Sequence, residues 1–381
     1  MKKSLAHLLK RDEKPLSKKI RERKSDHLEI CLEEDVQARH VTTGFEEIYL
    51  VHRALPEVDH SKIDLSTKVF NHKFSAPIIV ESITGGVEKA TKINAAIAQA
   101  VEKLGLGMGV GSQRAAIEDP KLEYTFTVAR EKAPTAFLIA NLGGVQLVRG
   151  YGVKEAKKAV KMLKADALAI HLNPLQEAVQ PEGETSYAGV LKKIEEIVHA
   201  IDVPVVVKET GAGIAAEDAK KLEAVGVAGI DVAGVGGTSW AAVEYHRAKR
   251  QGDEFHQRLG EAFWDWGIPT AASLIETTQS VRTLVIASGG IRSGIDVAKA
   301  LTLGASLAGM AHPILDPAFH GAEEVEKKLR LIIEELRNTM FLVGANSVQK
   351  LAKSPVIVTG KMADWLVMRG FEPQKYARRS L

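Results

Sequence analysis

The sequence predicts one α/β domain, a single (β/α)8 TIM barrel with an N-terminal helical arm and a small hairpin. From Ala76 onward, short apolar segments alternate with segments of helical periodicity, and this pair occurs eight times. The apolar segments are continuous rather than alternating, which is typical of parallel strands that are buried on both faces. Eight strand–helix units in one chain favour a closed barrel over an open sheet.

The segment before the barrel divides into two parts. Residues 1–24 contain ten Lys or Arg and three Asp or Glu, so we expect residues 1–16 to be a mobile basic tail. Residues 17–40 mix charged and apolar side chains at an imperfect helical period, which predicts a helix. The β-prone stretch KIDLSTKVF before Asn71 predicts a hairpin, so residues 17–75 are expected to form an arm and a barrel-closing segment.

We expect the barrel to span residues 76–345 and to be followed by a C-terminal extension, residues 346–381, that packs on it. The predicted strands are, in order, APIIVES, LGMGV, AFLIAN, ALAIHLN, PVVVKE, AGIDVAG, LVIASGG and ASLAGMA. The longest helix is predicted over residues 321–343. Residues 252–270 form a predicted insertion after the sixth strand, whose Phe and Trp side chains we expect to pack against the barrel or a neighbouring subunit.

Composition argues against several classes of protein. The 381 residues include 51 Lys and Arg and 48 Asp and Glu, and the resulting charge of +3 argues against a nucleic-acid partner. Cys31 is the single cysteine, which excludes an intrachain disulfide and suits a reducing, cytoplasmic location. No apolar stretch is long enough to span a membrane. We therefore expect a soluble cytoplasmic protein without a membrane partner.

The C-terminal ends of the predicted strands carry polar residues or glycine. Such residues end many strands for structural reasons, but in a barrel all eight ends meet at one face, where active sites are built. That convergence predicts a single functional crater. The strand ends place in it Ser82, Thr84, Ser112, Gln113, Arg114, Asn141, His171, Asn173, Gln176, Glu177, Lys208, Thr238, Ala311 and His312.

Three of these ends indicate particular chemistry. The heptad HLNPLQE, residues 171–177, puts an imidazole, two amides and a carboxylate in a strand end and loop, which suits an anion bound through Mg²⁺. A capped strand end with a solvated loop is the structural alternative. SGGIRSG, residues 288–294, and GMAHP follow the seventh and eighth strands, where such barrels usually bind phosphate. A phosphorylated cofactor is therefore implied.

Lys208 is the most informative single residue, because it ends an apolar strand and a buried lysine is costly without a partner. A structural ion pair with Glu209 or Asp231 would explain it. One functional alternative is a cation beside an electron-rich ring, where it stabilises negative charge, and another is a Schiff-base lysine. The phosphate sites and the amide-bearing strand ends favour a flat cofactor over an aldolase-type substrate.

Seven motifs in order carry a resemblance to a known family. They are VESITGG, GSQR, NLGG, HLNPLQE, VVVKETG, VGGTSW and SGGIRSG, preceded by RKSDH at residues 23–27. Together they resemble the type 2, FMN-dependent isopentenyl diphosphate isomerases. The resemblance implies a flavoprotein of isoprenoid biosynthesis that interconverts isopentenyl and dimethylallyl diphosphate. It also implies FMN, Mg²⁺ and NAD(P)H as reductant, and assembly as a homotetramer or homo-octamer.

The resemblance implies roles for individual residues as well. The reduced flavin would be the acid–base group, Lys208, Gln176 and His171 would be catalytic, and Glu177 would bind Mg²⁺. FMN would be held by Ser82, Ile83, Thr84, Ser112, Asn141, Lys208, Thr238, Gly290, Ile291, Arg292, Ala311 and His312. The substrate would be held by Arg23, Lys24, His27, Ser112, Gln113, Arg114, His171, Asn173 and Gln176. Two features depart from the family pattern: Glu81 stands where an uncharged residue is more usual, and Ala311-His312 replaces a small-basic pair.

Other functions remain open at this point. An FMN-dependent 2-hydroxy acid oxidase would share the barrel and the lysine, but it needs a His–Arg pair late in the barrel that the sequence does not place. A purine-type nucleotide dehydrogenase or reductase needs a nucleophilic cysteine in a barrel loop, and Cys31 lies before the barrel. A non-catalytic flavin-binding protein would not need the second set of phosphate-binding groups in RKSDH.

Overall fold

The computed structural model describes residues 16–379 and contains a closed barrel of eight parallel strands. Consecutive strands are neighbours, and the ring closes where the eighth strand, Leu307–Met310, pairs with the first, Ile78–Val80. The prediction of a (β/α)8 barrel is confirmed. The prediction of a mobile tail at residues 1–16 falls outside the described part of the chain, apart from Leu16.

The barrel strands coincide with the apolar segments of the sequence. Their side chains are buried almost throughout, inside the barrel against one another and outside against the helices. Val, Ile and Leu predominate, because branched side chains fit the packed surface of a parallel strand. In chain order the strands are Ile78–Val80, Gly107–Gly109, Phe137–Gly143, Ala167–Leu172, Val205–Glu209, Gly229–Asp231, Leu284–Ala287 and Leu307–Met310.

The helices around the barrel follow the predicted periodicity. In Glu88–Leu104, for example, Ile93, Ile97 and Val101 recur at helical spacing and are all buried. Gly105 ends this helix with φ 63°, which favours glycine. The longer helices are Glu88–Leu104, Tyr124–Lys132, Val153–Leu163, Val190–Val198, Ala216–Ala224, Trp240–Gln251, Thr270–Ser280, Gly294–Thr302 and Ala322–Leu342. Helical segments that follow strand ends are Arg114–Glu118, Gly144–Leu147, Pro174–Val179 and His312–His320.

The N-terminal helical arm lies over the C-terminal mouth of the barrel. Its helix, Leu16–Glu33, is shorter than the predicted range of 17–40. Beyond Glu33 the chain runs along the C-terminal end of the barrel, where Gln37 forms a backbone bridge with Thr238. Backbone hydrogen bonds to the barrel therefore replace those within the helix. The helix contacts three helices that begin near strand ends, namely Arg114–Glu118, Trp240–Gln251 and His312–His320.

The predicted hairpin closes the opposite end of the barrel. It consists of the antiparallel strands Thr67–Val69 and His72–Phe74, and Asn71 in its turn has φ 63°. Phe74 is buried and packs against Phe137 at the start of the third barrel strand, with 5.4 Å between ring centroids. The C-terminal end is therefore left as the open face.

The predicted insertion forms the helix Glu254–Ala262 and a following turn. Trp264 is 4% exposed and packs against Ile30 of the arm. Phe255 and Trp266 are 69% and 63% exposed on this chain. Among the residues that the structure describes, no helix combines the length and the apolar character needed to cross a lipid bilayer.

The C-terminal segment is tied to the chain before the barrel. The strand Val356–Val358 pairs antiparallel with Ile48–Leu50. The segment boundaries at residues 75–76 and 345–346 stay predictions. Other elements outside the barrel are the 3-10 turns Phe45–Glu47, His60–Lys62 and Pro120–Leu122 and the helices Val348–Leu351, Gly360–Met368 and Gln374–Ala377.

Candidate active site

A large cavity opens at the C-terminal face of the barrel, between the strand ends and the arm. Including the part open to solvent, its volume is about 1720 Å³. The predicted site residues that line it are Arg23, Lys24, His27, Ser82, Ile83, Thr84, Ser112, Arg114, Asn141, His171, Asn173, Gln176, Glu177, Lys208, Thr238, Gly290, Ile291, Arg292, Ala311 and His312.

Gln113 is the exception among the predicted residues. Its side chain is fully buried in the barrel wall. Its Nε2 donates to the Ala159 carbonyl at 3.0 Å, and its Oε1 accepts from the backbone N–H of Asn141 at 2.9 Å. The structure contradicts the prediction that Gln113 binds substrate, because both ends of its amide are used inside the protein. It fixes the backbone of Asn141 instead.

Lys208 lies at the floor of the crater and is 8% exposed. Its Nζ lies 3.3 Å from Asp231 Oδ2 and 3.4 Å from Glu81 Oε2, and it donates to the Glu209 carbonyl at 3.0 Å. Burial opposes the charge, but Asp231 and Glu81 outweigh it and raise the pKa of Lys208 above its usual value. Lys208 is therefore a fixed positive charge, which disfavours the Schiff-base alternative.

The carboxylate of Glu209 does not pair with Lys208, although the sequence left that partner open. Its Oε2 accepts from the backbone N–H groups of Thr210 and Gly211 at 2.6 Å and of Ala212 at 2.5 Å. Burial raises the pKa of Glu209 to about 7, although the three N–H groups lower it. The carboxylate thus holds the turn after the fifth strand, which forms part of the crater wall.

His171, Asn141 and Ser82 form a hydrogen-bonded chain across the crater. Asn141 Nδ2 donates to Ser82 Oγ at 3.0 Å, and Asn141 Oδ1 lies 2.7 Å from His171 Nδ1. Because an amide oxygen only accepts, this contact requires a hydrogen on Nδ1. Burial, followed by the charges of Lys208 and Lys24, lowers the pKa of His171 to about 3. His171 is therefore a neutral imidazole.

HLNPLQE continues into a helix, and this corrects the prediction that Gln176 and Glu177 lie in a loop. The helix Pro174–Val179 begins directly after Asn173, with proline at the first position, where its missing N–H costs nothing. Asn173 Nδ2 donates to Gln176 Oε1 and to Glu177 Oε1, each at 3.0 Å. The short helix thus holds the two amides and the carboxylate together.

Glu177 and Gln180 form a candidate cation site. Glu177 Oε2 accepts from Gln180 Nε2 at 2.5 Å and from the backbone N–H of Glu184 at 2.8 Å. Gln180 is 3% exposed, and its Oε1 has no hydrogen-bond partner among the described residues. A buried oxygen without a partner beside a carboxylate suits a hard cation such as Mg²⁺. The described residues contain no group of three or more His, Cys, Asp or Glu that could hold a metal.

The loop after the seventh strand fits a phosphate. Gly289 and Gly290 have φ 98° and 69°, values that favour glycine. The backbone N–H groups of Gly289, Gly290 and Ile291 donate to no acceptor within residues 16–379. They lie close before the start of the helix Gly294–Thr302, and such unpaired N–H groups bind anions. The guanidinium of the neighbouring Arg292 lines the same cavity.

Lys24 fastens the arm to the crater rim. Its Nζ donates to the carbonyls of Gly85 and Ser112, each at 2.7 Å. Burial, followed by the charges of Arg23 and Arg114, lowers the pKa of Lys24 to about 7. The ammonium therefore bonds to the barrel and is also close to two other cationic groups.

Two guanidiniums of the crater face carboxylates of one segment. Arg114 makes two contacts of 3.4 Å with the Glu184 carboxylate, and Arg23 lies 4.0 Å from Glu182. An anion that binds between Arg23 and Arg114 would replace these carboxylates as their partner. The two contacts therefore mark a second anion site, separate from the glycine loop.

Glu244 is a site residue that sequence reasoning missed. Its Oε1 lies 2.8 Å from His27 Nε2 and accepts from Gln176 Nε2 at 3.2 Å. Burial opposes ionisation, but His27 and Arg247 lower the pKa of Glu244 to about 2. A signal was present in the sequence, because Glu244 lies on the apolar face of the helix Trp240–Gln251, where a charged residue is unusual.

Comparison with known proteins relates the chain to flavin-dependent enzymes. The family model described as FMN-dependent dehydrogenase matches residues 16–139 and 151–358. The chain is 54% identical over 361 residues to an isopentenyl-diphosphate delta-isomerase from Methanothermobacter thermautotrophicus, covering 95% of this chain and 100% of that protein. It is 51% identical over 355 residues to the protein of the same name from Pyrococcus furiosus, covering 91% and 89%.

Solved structures of similar fold are flavoprotein barrels at much lower identity. A flavocytochrome b2 variant with sulfite bound has a TM-score of 0.64 and 20% identity, covering 92% of this chain and 88% of that one. A lactate oxidase from Pediococcus acidilactici has a TM-score of 0.63 and 17% identity, covering 90% and 93%. At these identities the likeness shows the fold alone.

We expect His171 to make stability depend on pH. Its pKa is about 3 in the folded chain against 6.5 ordinarily, so between these values the unfolded chain binds a proton that the folded chain does not. Stability therefore falls on acidification, by about 2 kcal/mol between roughly pH 6.5 and pH 5. His171→Asn cannot titrate and keeps an N–H for Asn141. Its free energy of unfolding in urea should lack this decrease, and an identical decrease in the variant would contradict the assignment.

Proposed function

The chain belongs to the FMN-dependent dehydrogenase family and, within it, to the proteins named isopentenyl-diphosphate delta-isomerase, and we propose that it interconverts isopentenyl and dimethylallyl diphosphate. The observation that carries this proposal is the presence of two anion sites in one crater. The glycine loop 289–291 suits the phosphate of FMN, and Arg23 and Arg114 suit a diphosphate. A non-catalytic flavin-binding protein would not need the second site.

The residues of the crater fit FMN. Gly289, Gly290 and Ile291 would hold its phosphate through backbone N–H groups, and Lys208 would place a positive charge near its ring. The isomerisation adds a proton at one carbon and removes a proton from another, and neither proton is acidic enough to be transferred by an ordinary carboxylate. Reduced FMN, with NAD(P)H as the proposed reductant, supplies this acid–base chemistry when bound. The Lys208 ammonium would be a hydrogen-bond donor near the ring, because its position is fixed by two carboxylates and they keep it protonated.

The residues beside the second anion site fit Mg²⁺. Glu177 would supply a carboxylate oxygen and Gln180 the amide oxygen that lacks a partner. The remaining ligands would be water and the substrate diphosphate, as is usual for a magnesium ion bound by one or two carboxylates. Arg23, Lys24 and Arg114 would neutralise the rest of the diphosphate charge.

The residues at the reacting end hold the hydrocarbon in place. Glu244 binds both His27 and Gln176, so the imidazole and the amide are fixed relative to each other. The ring of Trp240 packs edge-on against His27, with 5.2 Å between centroids, and helps to exclude water. Diphosphate binding remote from the reacting carbons supplies the energy that positions them.

Assembly and location belong to the same proposal. We expect a cytoplasmic homotetramer or homo-octamer, in line with the family resemblance. The exposed side chains of Phe255 and Trp266 on the predicted insertion support a contact between subunits there. Sedimentation of the purified protein measures the oligomeric state directly.

A single assay tests the function. Purified protein should bind oxidised FMN as a yellow chromophore. After anaerobic reduction of the flavin with NAD(P)H in the presence of Mg²⁺, it should convert isopentenyl diphosphate to dimethylallyl diphosphate, followed by proton NMR. Oxidation of a 2-hydroxy acid with reduction of the flavin would support the oxidase instead. Flavin binding without any turnover would support the non-catalytic protein.

Arg114→Ala should weaken diphosphate binding without affecting FMN. Removing a charge-assisted contact costs about 1.5–3 kcal/mol, so we expect KM for isopentenyl diphosphate to rise roughly ten- to hundredfold. The dissociation constant of FMN should not change. Arg149→Ala is the matched control, because Arg149 contacts the same Glu184 carboxylate at 3.6 Å from a position that is 55% exposed. An equal rise in KM for both variants would contradict a diphosphate role for Arg114.

Glu177→Gln should change the response to Mg²⁺. The variant keeps the shape of the side chain but loses the charge that attracts the cation, so the Mg²⁺ concentration for half-maximal turnover should rise about tenfold or more. Glu195→Gln is a suitable control, because Glu195 is exposed and does not line the crater. If titration with Mg²⁺ gives the same midpoint for Glu177→Gln and the unmodified enzyme, Glu177 is not a ligand.

A further inference from the structure

We propose that Glu81 is a positioning residue that holds one proton beside Lys208 and Asp231, and that this proton sets the net charge beneath the bound flavin. Glu81 lines the crater, yet the chemistry described above gives it no task. The inference rests on the proposed function, because it requires a flavin in the crater.

The three charged groups meet across the floor of the barrel. Glu81 follows the first strand, Lys208 lies in the fifth and Asp231 ends the sixth. The first and fifth strands are opposite each other in the ring of eight, so the contact between Glu81 and Lys208 crosses the barrel. Nζ of Lys208 lies 3.4 Å from Glu81 Oε2 and 3.3 Å from Asp231 Oδ2. One ammonium thus serves two carboxylates.

The eighth strand is shaped to admit the Glu81 side chain. A Cβ at Gly309 would lie only 2.3 Å from Glu81 Oε1, so any other residue at this position would displace the carboxylate. The backbone N–H of Glu81 donates to the Met310 carbonyl of the same strand at 2.9 Å. The absence of a side chain at Gly309 therefore leaves room for the Glu81 carboxylate.

The charges of the cluster favour a proton on Glu81. Lys208 and Asp231 are the charged groups that face Glu81. From the eighth strand only the uncharged main chain of Gly309 lies against Glu81. Burial and the nearby Asp231 raise the pKa of Glu81 to about 7, although Lys208 lowers it. Ser288 Oγ donates to Asp231 Oδ1 at 2.6 Å, so Asp231 has a polar partner besides Lys208. The cluster is then neutral with the proton and carries one negative charge without it.

The proton links the cluster to the redox state of the flavin. Electrons added to a nearby ring increase the negative charge there, so Glu81 binds a proton from solvent more tightly when the flavin is reduced and releases it on reoxidation. Below the pKa of Glu81 the proton is present whether the flavin is oxidised or reduced, so it does not make the reduction potential depend on pH. Above this pKa, the ionised carboxylate opposes reduction. The cluster therefore makes reduction harder as the pH rises through neutrality.

The test compares the reduction potential of bound FMN in the unmodified holoenzyme and in Glu81→Gln. Reference dyes would measure it from about pH 5.5 to about pH 8.5. A glutamine is neutral throughout, so the two proteins should agree at the acidic end. At the alkaline end the ratio of reduced to oxidised flavin at equal applied potential should be about tenfold lower in the unmodified protein. Parallel curves over the whole range would overturn the inference.

Glu209→Gln is the matched control. Glu209 is the neighbouring buried carboxyl whose pKa is also raised to about 7, but its carboxylate binds the backbone of its own turn. This variant should keep the pH dependence of the unmodified protein. If Glu209→Gln abolishes the pH dependence and Glu81→Gln preserves it, the proton belongs to Glu209 and the inference fails.

A measurement on the unmodified protein covers the case in which Glu81→Gln does not fold. The infrared difference spectrum between reduced and oxidised holoenzyme at about pH 8 should gain the carbonyl band of a protonated carboxyl group. Absence of that band would overturn the inference. Failure of the proposed function has a different signature, because the unmodified protein would then bind no FMN or form no dimethylallyl diphosphate.

Discussion

The ion pair between Lys208 and the carboxylates of Asp231 and Glu81 is the interaction on which the crater depends. A lysine at 8% exposure loses most of its hydration, and a buried charge is tolerated only when oppositely charged groups replace the lost water. The barrel supplies the carboxylates of Glu81 and Asp231 from separate strands, and Gly309 leaves the space that the Glu81 carboxylate occupies. The result is an ammonium group held rigidly at the floor of the cavity by two carboxylates.

The two ends of the barrel are closed by different forces, and this difference suits an enzyme. At the N-terminal end, Phe74 of the hairpin packs into an apolar cluster with Phe137. Removing this apolar surface from water stabilises the closed end. At the C-terminal end, the arm adds polar contacts, such as those of Lys24 with carbonyl oxygens and of His27 with Glu244, to the apolar packing of Ile30. Polar partners can be exchanged for those of a ligand, whereas a packed core cannot.

Particular residues show how far sequence reasoning reached. Lys208 was identified because a lysine at the end of an apolar strand is unusual, and one of its two considered partners, Asp231, is correct. Gln113 was assigned to the crater because it follows a strand, but the second strand, Gly107–Gly109, is short and the side chain enters the barrel wall instead. Glu244 was missed because it reaches His27 and Gln176 from a distant helix, and local periodicity carries no information about such a contact.

The sequence by itself determined the eight-unit barrel, the face that carries the site, and most of the polar groups that line it. These follow from hydrophobic periodicity and from the residues at strand ends, which are local properties of the chain. Only the tertiary structure decided that Glu81 reaches Lys208 across the ring, that Glu209 binds its own turn, and that Gln180 directs an oxygen without a partner beside Glu177. For Glu81 the physical reason is that closure of the barrel brings together strands that are remote in sequence. Glu209 and Gln180 have partners within three residues, and these contacts depend on a backbone path and side-chain orientations that hydrophobic periodicity does not specify.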